Sequence, residues 1–261
     1  NPNAMMYSNT GNNITTASGA SMNNYLYKKS GYGGAYLADN VVLYDGTAYE
    51  NPSNAKGMYF TNATLYRNIQ ADTWFSLVVP FWPRDNRLTR KYPSDLTDGT
   101  LTFSDATNST WGSNDKPMLV KCSEATTYIT GVRGGAGAGG AGTATGDLTS
   151  GNGAPMHGVY EAGTVPTAGD ATRYIVSGSQ LHKVTSSVNI KPFRAYFELE
   201  DGGTGAREFI DIDFDGVTAI NIIEEAGAKA EGMKDGKYLI DNKIVLVKNG
   251  VKYSANGQIL K

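Results

Sequence analysis

Carboxylates at alternate positions of two predicted strands are the first residues whose spacing could support catalysis: Glu198 with Glu200, and Asp211 with Asp213. Glycoside hydrolysis uses two carboxyl groups about 5–10 Å apart, and residues two apart on a strand lie about 6–7 Å apart on one face. The same spacing is also typical of a solvated strand face. Because Arg194 lies on or beside the same predicted hairpin, it can pair with these acids. We therefore predict no catalytic residue among them.

The segment from Asp211 to Gly216 reproduces the first six positions of an EF-hand loop, with Asp211, Asp213 and Asp215 at ligand positions. The twelfth position, however, is Ile222 where such a loop carries glutamate, and predicted strands flank the segment. The sequence therefore predicts no metal site, and it leaves open whether the three aspartates bind calcium.

The other residues with reactive side chains are isolated in the sequence. Cys122 is the single cysteine, so it forms no internal disulfide, and we expect it to be a buried apolar residue rather than a nucleophile. His157 and His182 have no metal-ligand spacing to other residues, and we expect both to be partly exposed. Residues 135–140 match G-x-G-x-x-G, but no helix follows them, so we predict no bound cofactor.

Aromatic side chains give the stronger prediction of a binding surface. Exposed aromatic faces of β modules stack on sugar rings or bind protein partners. Trp74 lies in an apolar run and is predicted to be core, whereas Trp82 and Trp111 flank the loops that follow this run. We predict Trp82 and Trp111 as ligand-binding residues for a glycan or a surface protein.

The charge of the chain argues against nucleic-acid partners. Its net charge is −2 and its pI is about 5.7, so no overall field attracts phosphate. The local cluster of Arg84, Arg87, Arg90 and Lys91 lacks interleaved aromatics, and we interpret it as a solvated loop. No stretch reaches the roughly 18 apolar residues of a membrane span.

These side chains must be positioned by short strands, because glycine is abundant and only 18% of the residues are charged. The central stretch is 73–82, a nearly unbroken apolar run that predicts a strand buried on both faces and interrupted near Pro80. Only three residues separate it from 58–69, which predicts a hairpin of 58–69 against 73–81. The predicted fold is all-β, an antiparallel β-sandwich of the jelly-roll-like or immunoglobulin-like type.

The second half of the chain extends this pattern. Residues 132–153 are dominated by glycine, alanine, threonine and serine, which predicts a flexible loop. In 193–200, Phe193, Ala195, Phe197 and Leu199 are expected to face inward. Together with 208–214 and 217–223, this strand predicts an antiparallel meander that ends the main domain.

Three regions follow from composition. Residues 1–223 are predicted to form the main sandwich domain, 224–236 a linker, and 237–261 a small C-terminal module of tight β-hairpins. So short a module cannot bury enough surface to be stable alone. We therefore expect it to dock on the main domain, on a neighbouring molecule, or on an export or anchoring partner. The chain opens with Asn1 rather than methionine, from which we expect a processed or truncated chain.

Several phrases of the sequence resemble exported Bacteroidetes proteins, including Bacteroides and Prevotella surface proteins. The phrases are Asn1-Pro-Asn-Ala, Ala38-Asp-Asn-Val-Val-Leu-Tyr-Asp-Gly, Trp74-Phe-Ser-Leu-Val-Val-Pro-Phe, Lys116-Pro-Met-Leu-Val-Lys, Lys191-Pro-Phe-Arg-Ala-Tyr-Phe and the C-terminal stretch from Asn242 to Lys261. The resemblance implies an extracellular β-rich region with a Lys- and Gly-rich C-terminal β tail. It implies a location at the outer cell surface or in the medium, and it brings no functional residues. The glycine-rich segment 132–153 departs from this pattern.

The sequence thus favours an extracellular, non-enzymatic surface module for adhesion, scaffolding or glycan binding. The alternative is a carbohydrate-active enzyme or its accessory domain, which would carry a concave, aromatic-lined groove with paired carboxylates.

Overall fold

A computed structural model describes most of the chain. The described residues are 1–8, 12, 14–31, 35–49, 58–97, 100–105, 116–133, 147–148, 156–165, 167, 172–199, 209–212, 219–221, 236–240, 243–248, 251–254 and 259–260. Over these ranges the chain forms strands and turns without any helix, which confirms the all-β prediction. No helix in the described ranges is long and apolar enough to cross a membrane.

Twenty-three strands are present in the described residues. In chain order they are β1 (Met6–Ser8), β2 (Tyr25–Lys28), β3 (Tyr36–Tyr44), β4 (Met58–Ile69), β5 (Trp74–Leu77), β6 (Trp82–Pro83), β7 (Leu88–Thr97), β8 (Thr100–Asp105), β9 (Met118–Cys122), β10 (Thr126–Arg133), β11 (Asp147–Leu148), β12 (Met156–Val159), β13 (Gly163–Val165), β14 (Thr172–Ser177), β15 (Gln180–Lys183), β16 (Val188–Ile190), β17 (Arg194–Leu199), β18 (Phe209–Asp211), β19 (Ala219–Asn221), β20 (Gly236–Ile240), β21 (Lys243–Lys248), β22 (Val251–Ser254) and β23 (Ile259–Leu260).

Three large sheets and two small ones result. The front sheet has the order β1-β2-β3-β4-β10-β6, the middle sheet β19-β8-β7-β9-β5, and the back sheet β11-β12-β17-β14-β15-β18. Strands β13 and β16 pair with each other, and β20-β21-β22-β23 form the tail sheet. The chain divides into two compact units, Asn1–Ile223 and Glu224–Lys261.

Two hydrophobic clusters stack the large sheets in layers. One cluster joins front-sheet side chains such as Leu65 to one face of the middle sheet, including Val120. The other joins the opposite face of the middle sheet, including Leu119, to back-sheet residues such as Phe197. Because neighbouring residues of a strand point to opposite faces, adjacent Leu119 and Val120 serve different clusters. The middle sheet therefore lies between the other two.

The prediction of a strand buried on both faces is confirmed for the first half of the run 73–82, which forms β5. Trp74 packs in the cluster toward the back sheet, whereas Leu77 packs toward the front sheet. The predicted interruption near Pro80 is confirmed, because 78–81 lie outside any strand. The extension of the same strand through Trp82 is wrong, because Trp82 begins β6 in the front sheet. Pro80 has no N–H for a ladder, and the chain changes sheets around it.

The predicted hairpin of 58–69 against 73–81 is also wrong. Strand β4 pairs in parallel with β3 and antiparallel with β10, whereas β5 pairs with β9. The short connection turns the chain out of the front sheet. Asp72 has a positive φ of 53° there, and its N–H donates to the Cys122 carbonyl at 2.8 Å.

The predicted meander of 193–200, 208–214 and 217–223 does not form either. Strand β17 pairs with β12 and β14, β18 pairs with β15, and β19 pairs with β8 in the middle sheet. The inward alternation is confirmed for Phe193, Ala195 and Phe197, which are buried, while the side chain of Leu199 lies outside the described residues. Wholly antiparallel pairing also fails, since β1 with β2 and β3 with β4 are parallel.

The tail sheet is a series of neighbouring antiparallel strands, as the hairpin prediction requires. Ile240 pairs with Lys243 and Lys248 with Val251, so each of these two connections has two residues. The turn residues themselves, the predicted linker 224–236 apart from Gly236, and most of the glycine-rich segment 132–153 lie outside the described residues.

Candidate binding surface

Three exposed tyrosines lie side by side on the outer face of the front sheet. They are Tyr44 on β3, Tyr66 on β4 and Tyr128 on β10, and their exposed fractions are 44%, 44% and 40%. Tyr66 is the direct cross-strand partner of both Tyr44 and Tyr128. We call these three residues the tyrosine row, and it crosses the strands instead of following one of them.

The outward direction of the row follows from strand alternation. The residue next to each tyrosine is an aliphatic side chain that is fully buried in the core: Leu43, Leu65 and Ile129. When these neighbours point inward, the tyrosines must point to solvent. The hydrophobic core therefore fixes the face on which the row lies.

The rings of the row contact one another. The centroids of Tyr44 and Tyr66 are 5.4 Å apart and their planes differ by 18°, which is a stacked arrangement. Tyr66 and Tyr128 are 6.5 Å apart with planes at 61°. The guanidinium carbon of Arg87 lies 5.2 Å from the Tyr128 ring centroid and ends the row. Such cross-strand aromatic pairs hold the rings in defined positions.

The charge of Arg87 is balanced where it meets the row. Its Nε donates to Oδ1 of Asp85 at 2.8 Å and its Nη2 to Oδ2 at 2.5 Å. The side-chain hydrogen bond from Arg87 is the main cause that lowers the pKa of Asp85, so this carboxyl is ionised at neutral pH. The row therefore ends on a neutralised ion pair and not on an open cation.

A second line of side chains runs beside the row. Val42, Thr64 and Thr130 are cross-strand partners, and each lies two residues from a tyrosine of the row. They therefore share its face, one pleat away. Thr130 is exposed and Thr64 half-buried, so two hydroxyl groups flank the aromatic rings.

Two asparagines hold the open edge of β3 next to Tyr44. Asn3 is fully buried; its Nδ2 donates to the Tyr44 carbonyl at 3.0 Å and its Oδ1 accepts from the Tyr44 N–H at 2.8 Å. Asn24 binds Val42 in the same way: its Nδ2 donates to the Val42 carbonyl at 2.9 Å and its Oδ1 accepts from the Val42 N–H at 2.8 Å. These side chains replace the backbone of a neighbouring strand and fix the end of β3.

Trp82, one of the two predicted tryptophan sites, lies outside the tyrosine row. Trp82 is buried in the core, with 8% of its surface exposed against 40% for Tyr128. This placement leaves little ring area for a sugar, so the ligand-binding assignment of Trp82 stays a prediction without support. Trp111 lies outside the described residues. The prediction that Trp74 is core is confirmed by its exposed fraction of 4%.

The basic cluster is more structured than a solvated loop. Arg87 pairs with Asp85, and Lys91 pairs with Asp105 at 2.8 Å. Arg90 is half-buried and donates through Nη1 to the Pro83 carbonyl at 2.8 Å. The side-chain cations of Arg87, Arg90 and Lys91 therefore bind acceptors of the protein itself.

Only one member of each candidate acid pair, Glu198 and Asp211, lies in the described residues. Glu198 accepts from Nε of Arg173 at 2.7 Å, and Arg194 instead pairs with Asp45. Glu200 and Asp213 lie outside the described residues. Strand β18 with Asp211 is separated from β17 by two strands, so these acids do not share a hairpin.

Cysteine and histidine have the predicted surroundings. Cys122 is a free and fully buried thiol, and both histidines are half-exposed. His157 stacks on Tyr196 at 5.1 Å. The described residues contain no group of three His, Cys, Asp or Glu side chains that could hold a metal ion, but Asp213 and Asp215 are outside those ranges.

Sequence reasoning missed the tyrosine row, although its signal was present. Tyr44, Tyr66 and Tyr128 each neighbour an aliphatic residue that is buried, but the three meet only because β3, β4 and β10 are adjacent. Comparison of the chain with protein-family models, with curated proteins and with solved structures finds no match.

Proposed function

We propose that this chain is a non-enzymatic surface module that binds glycans through the tyrosine row and thereby serves adhesion. The observation that carries the proposal is the exposed line of Tyr44, Tyr66 and Tyr128 across three adjacent strands. Tyrosine combines an apolar ring with a hydroxyl group, which suits the C–H faces and hydroxyls of sugars. Pre-stacked rings also lose little conformational entropy on binding.

The ion pairing of four described carboxylates supports binding over hydrolysis. Ion pairs use the carboxylates of Asp45, Asp85, Asp105 and Glu198. A glycosidase needs two carboxyl groups facing each other across the substrate. No described observation of this kind favours the alternative of a carbohydrate-active enzyme or its accessory domain.

The setting is part of the same proposal. We infer that the module acts at the outer cell surface or as a secreted protein of the Bacteroidetes type, which the sequence phrases support. The layered sheets of residues 1–223 would then be a β-sandwich of the jelly-roll-like or immunoglobulin-like type with one additional layer. The two stacked hydrophobic clusters support this interpretation.

A glycan array with the full chain tests the proposal. We expect retention of one or more glycans, and we expect Tyr66→Ala to lower the affinity at least about tenfold, or about 1.4 kcal/mol. Tyr7→Ala is the matched control, because Tyr7 has the same exposed fraction of 44% but packs edge-on against Tyr36 outside the row. Equal loss in both variants, or no retained glycan, would contradict the proposal.

A further inference from the structure

We infer that the ligand of the tyrosine row is a neutral, linear glycan of at least three sugar units that lies across β3, β4 and β10. This inference rests on the proposed function and adds the shape, direction and charge of the ligand. It follows from the geometry of the row, the residues beside it and the ion pair at its end.

The row is three rings long. Its members are direct cross-strand partners, so they lie along the hydrogen-bonding direction, in which neighbouring strands are about 4.8 Å apart. The ring centroids are 5.4 and 6.5 Å apart, which is comparable to the length of one sugar ring. A chain that contacts all three tyrosines along this line therefore needs three units and must run across the strands.

The flanking line of side chains matches the edge of such a chain. Thr64 and Thr130 form a line parallel to the tyrosine row, and their hydroxyl groups can donate to and accept from sugar hydroxyls. A narrow apolar line beside a hydroxyl line fits a polysaccharide better than a protein. A protein partner of ordinary size covers about 800 Å² per side around an apolar centre. The tyrosines are the exposed large apolar side chains on this part of the described surface.

The charge at the end of the row selects against acidic chains. Arg87 is the cation that contacts the described part of the row, and Asp85 holds it through two side-chain hydrogen bonds. A sugar carboxylate at this end would meet the carboxylate of Asp85 beside Arg87, which offsets the charge of the guanidinium. A neutral chain meets the row without breaking this pair.

Titration calorimetry with oligosaccharides of two to six units tests the inference on the full chain. The probes are cello-, manno- and xylo-oligosaccharides as neutral chains and oligogalacturonates as acidic chains, each at 50 and 500 mM NaCl. We expect a neutral series to gain at least about tenfold in affinity from two to four units and to change less than about twofold with salt, since screening acts only on charges.

Tyr128→Ala supplies a readout that a general structural defect would not give. It shortens the row to two rings, so affinity for four to six units should fall to that of the disaccharide while disaccharide binding stays within about twofold. An equal loss at every chain length would overturn the inference. Saturation by disaccharides in the native chain, or no binding of any neutral series, would do the same.

The remaining outcomes separate the inference from the proposed function. Binding of oligogalacturonates alone, weakened strongly by salt, would overturn the neutral ligand and leave glycan binding intact. Retention of proteins but of no glycan on the array would overturn both.

Discussion

At the scale of single residues, Asp45 joins the end of the front sheet to the start of a back-sheet strand. Its Oδ1 and Oδ2 accept from Nη1 and Nη2 of Arg194 at 2.5 and 2.8 Å. Burial by itself would raise the pKa of Asp45, but the hydrogen bond and charge of Arg194 and the charges of Arg67 and Lys191 outweigh it, so the pKa is lowered. Burial and the charge of Arg194 lower the pKa of Arg67 to about 9, which leaves Arg67 protonated at neutral pH. Asp45 is therefore ionised at neutral pH, and its ion pair with Arg194 stabilises the folded state.

Replacing this carboxylate should weaken the chain in a pH-dependent way. We expect Asp45→Asn to lower the free energy of unfolding at pH 7 by about 1–2 kcal/mol, because both partners retain some contact with solvent. A lowered pKa gives stabilisation that is present above the unfolded value of about 3.9 and is lost as pH falls through the folded value. Urea unfolding at pH 7 and pH 3 should therefore show a difference between native and variant chains that shrinks at pH 3.

Asp105→Asn is the matched control for this measurement. Asp105 also pairs with a cation, Lys91, but its side chain is 70% exposed. Such exposed pairs contribute about 0–1 kcal/mol, so the control should change little at either pH. An equal effect of both substitutions, or a difference for Asp45→Asn that grows toward pH 3, would refute the role given to the Asp45–Arg194 pair.

At the scale of elements, the front sheet depends on a close approach between β10 and the segment that leaves β5. Gly131 on β10 pairs with Pro83 of β6. A Cβ atom at Gly131 would lie 2.2 Å from the Trp82 carbonyl oxygen and 2.4 Å from Cδ2 of Phe81. Glycine is therefore required there because the two segments leave no room for a side chain.

Gly131→Ala should consequently be among the most damaging small substitutions in the chain. We expect a loss of at least about 3 kcal/mol of unfolding free energy, because the obstacle includes backbone and cannot rotate away. Gly163→Ala is the matched control in another strand, since a Cβ atom added there would meet no residue beyond its chain neighbours within 4 Å. Thermal and urea unfolding of both variants would measure the contrast, and a tolerated Gly131→Ala would show that β6 and β10 are not adjacent.

The connection between β4 and β5 also shows which structural features the sequence could predict. Local alternation identified most strands and the burial of Trp74, Cys122 and Phe197, because those properties depend on nearest neighbours in the chain. Pairing depends on long-range contacts, so the hairpin expected from three connecting residues after Ile69 did not form. The tyrosine row depends on the same long-range pairing, since Tyr44 and Tyr66 meet through a parallel pair of strands.

At the scale of the whole molecule, the chain completes its sheets within two units. The front, middle and back sheets use strands β1 to β19, which all belong to Asn1–Ile223. The tail sheet uses β20 to β23, which belong to Glu224–Lys261. No described backbone ladder of the first unit therefore needs a strand of the second.

Deleting either end of the chain should have opposite consequences. We expect a chain of residues 1–223 to unfold cooperatively within about 4 °C of the full chain and to keep its glycan affinity, since about 1 kcal/mol shifts a domain of this size by about 2–4 °C.

Deleting residues 1–8 instead removes β1 and Asn3, whose side chain holds both the N–H and the carbonyl of Tyr44. That shorter deletion should lower the melting temperature by more than about 8 °C and abolish binding, because the cost of unpaired buried backbone groups is about 1–3 kcal/mol each. Calorimetry on the two truncated chains decides the matter, and a stable, glycan-binding chain without residues 1–8 would show that the N-terminal segment does not position the tyrosine row.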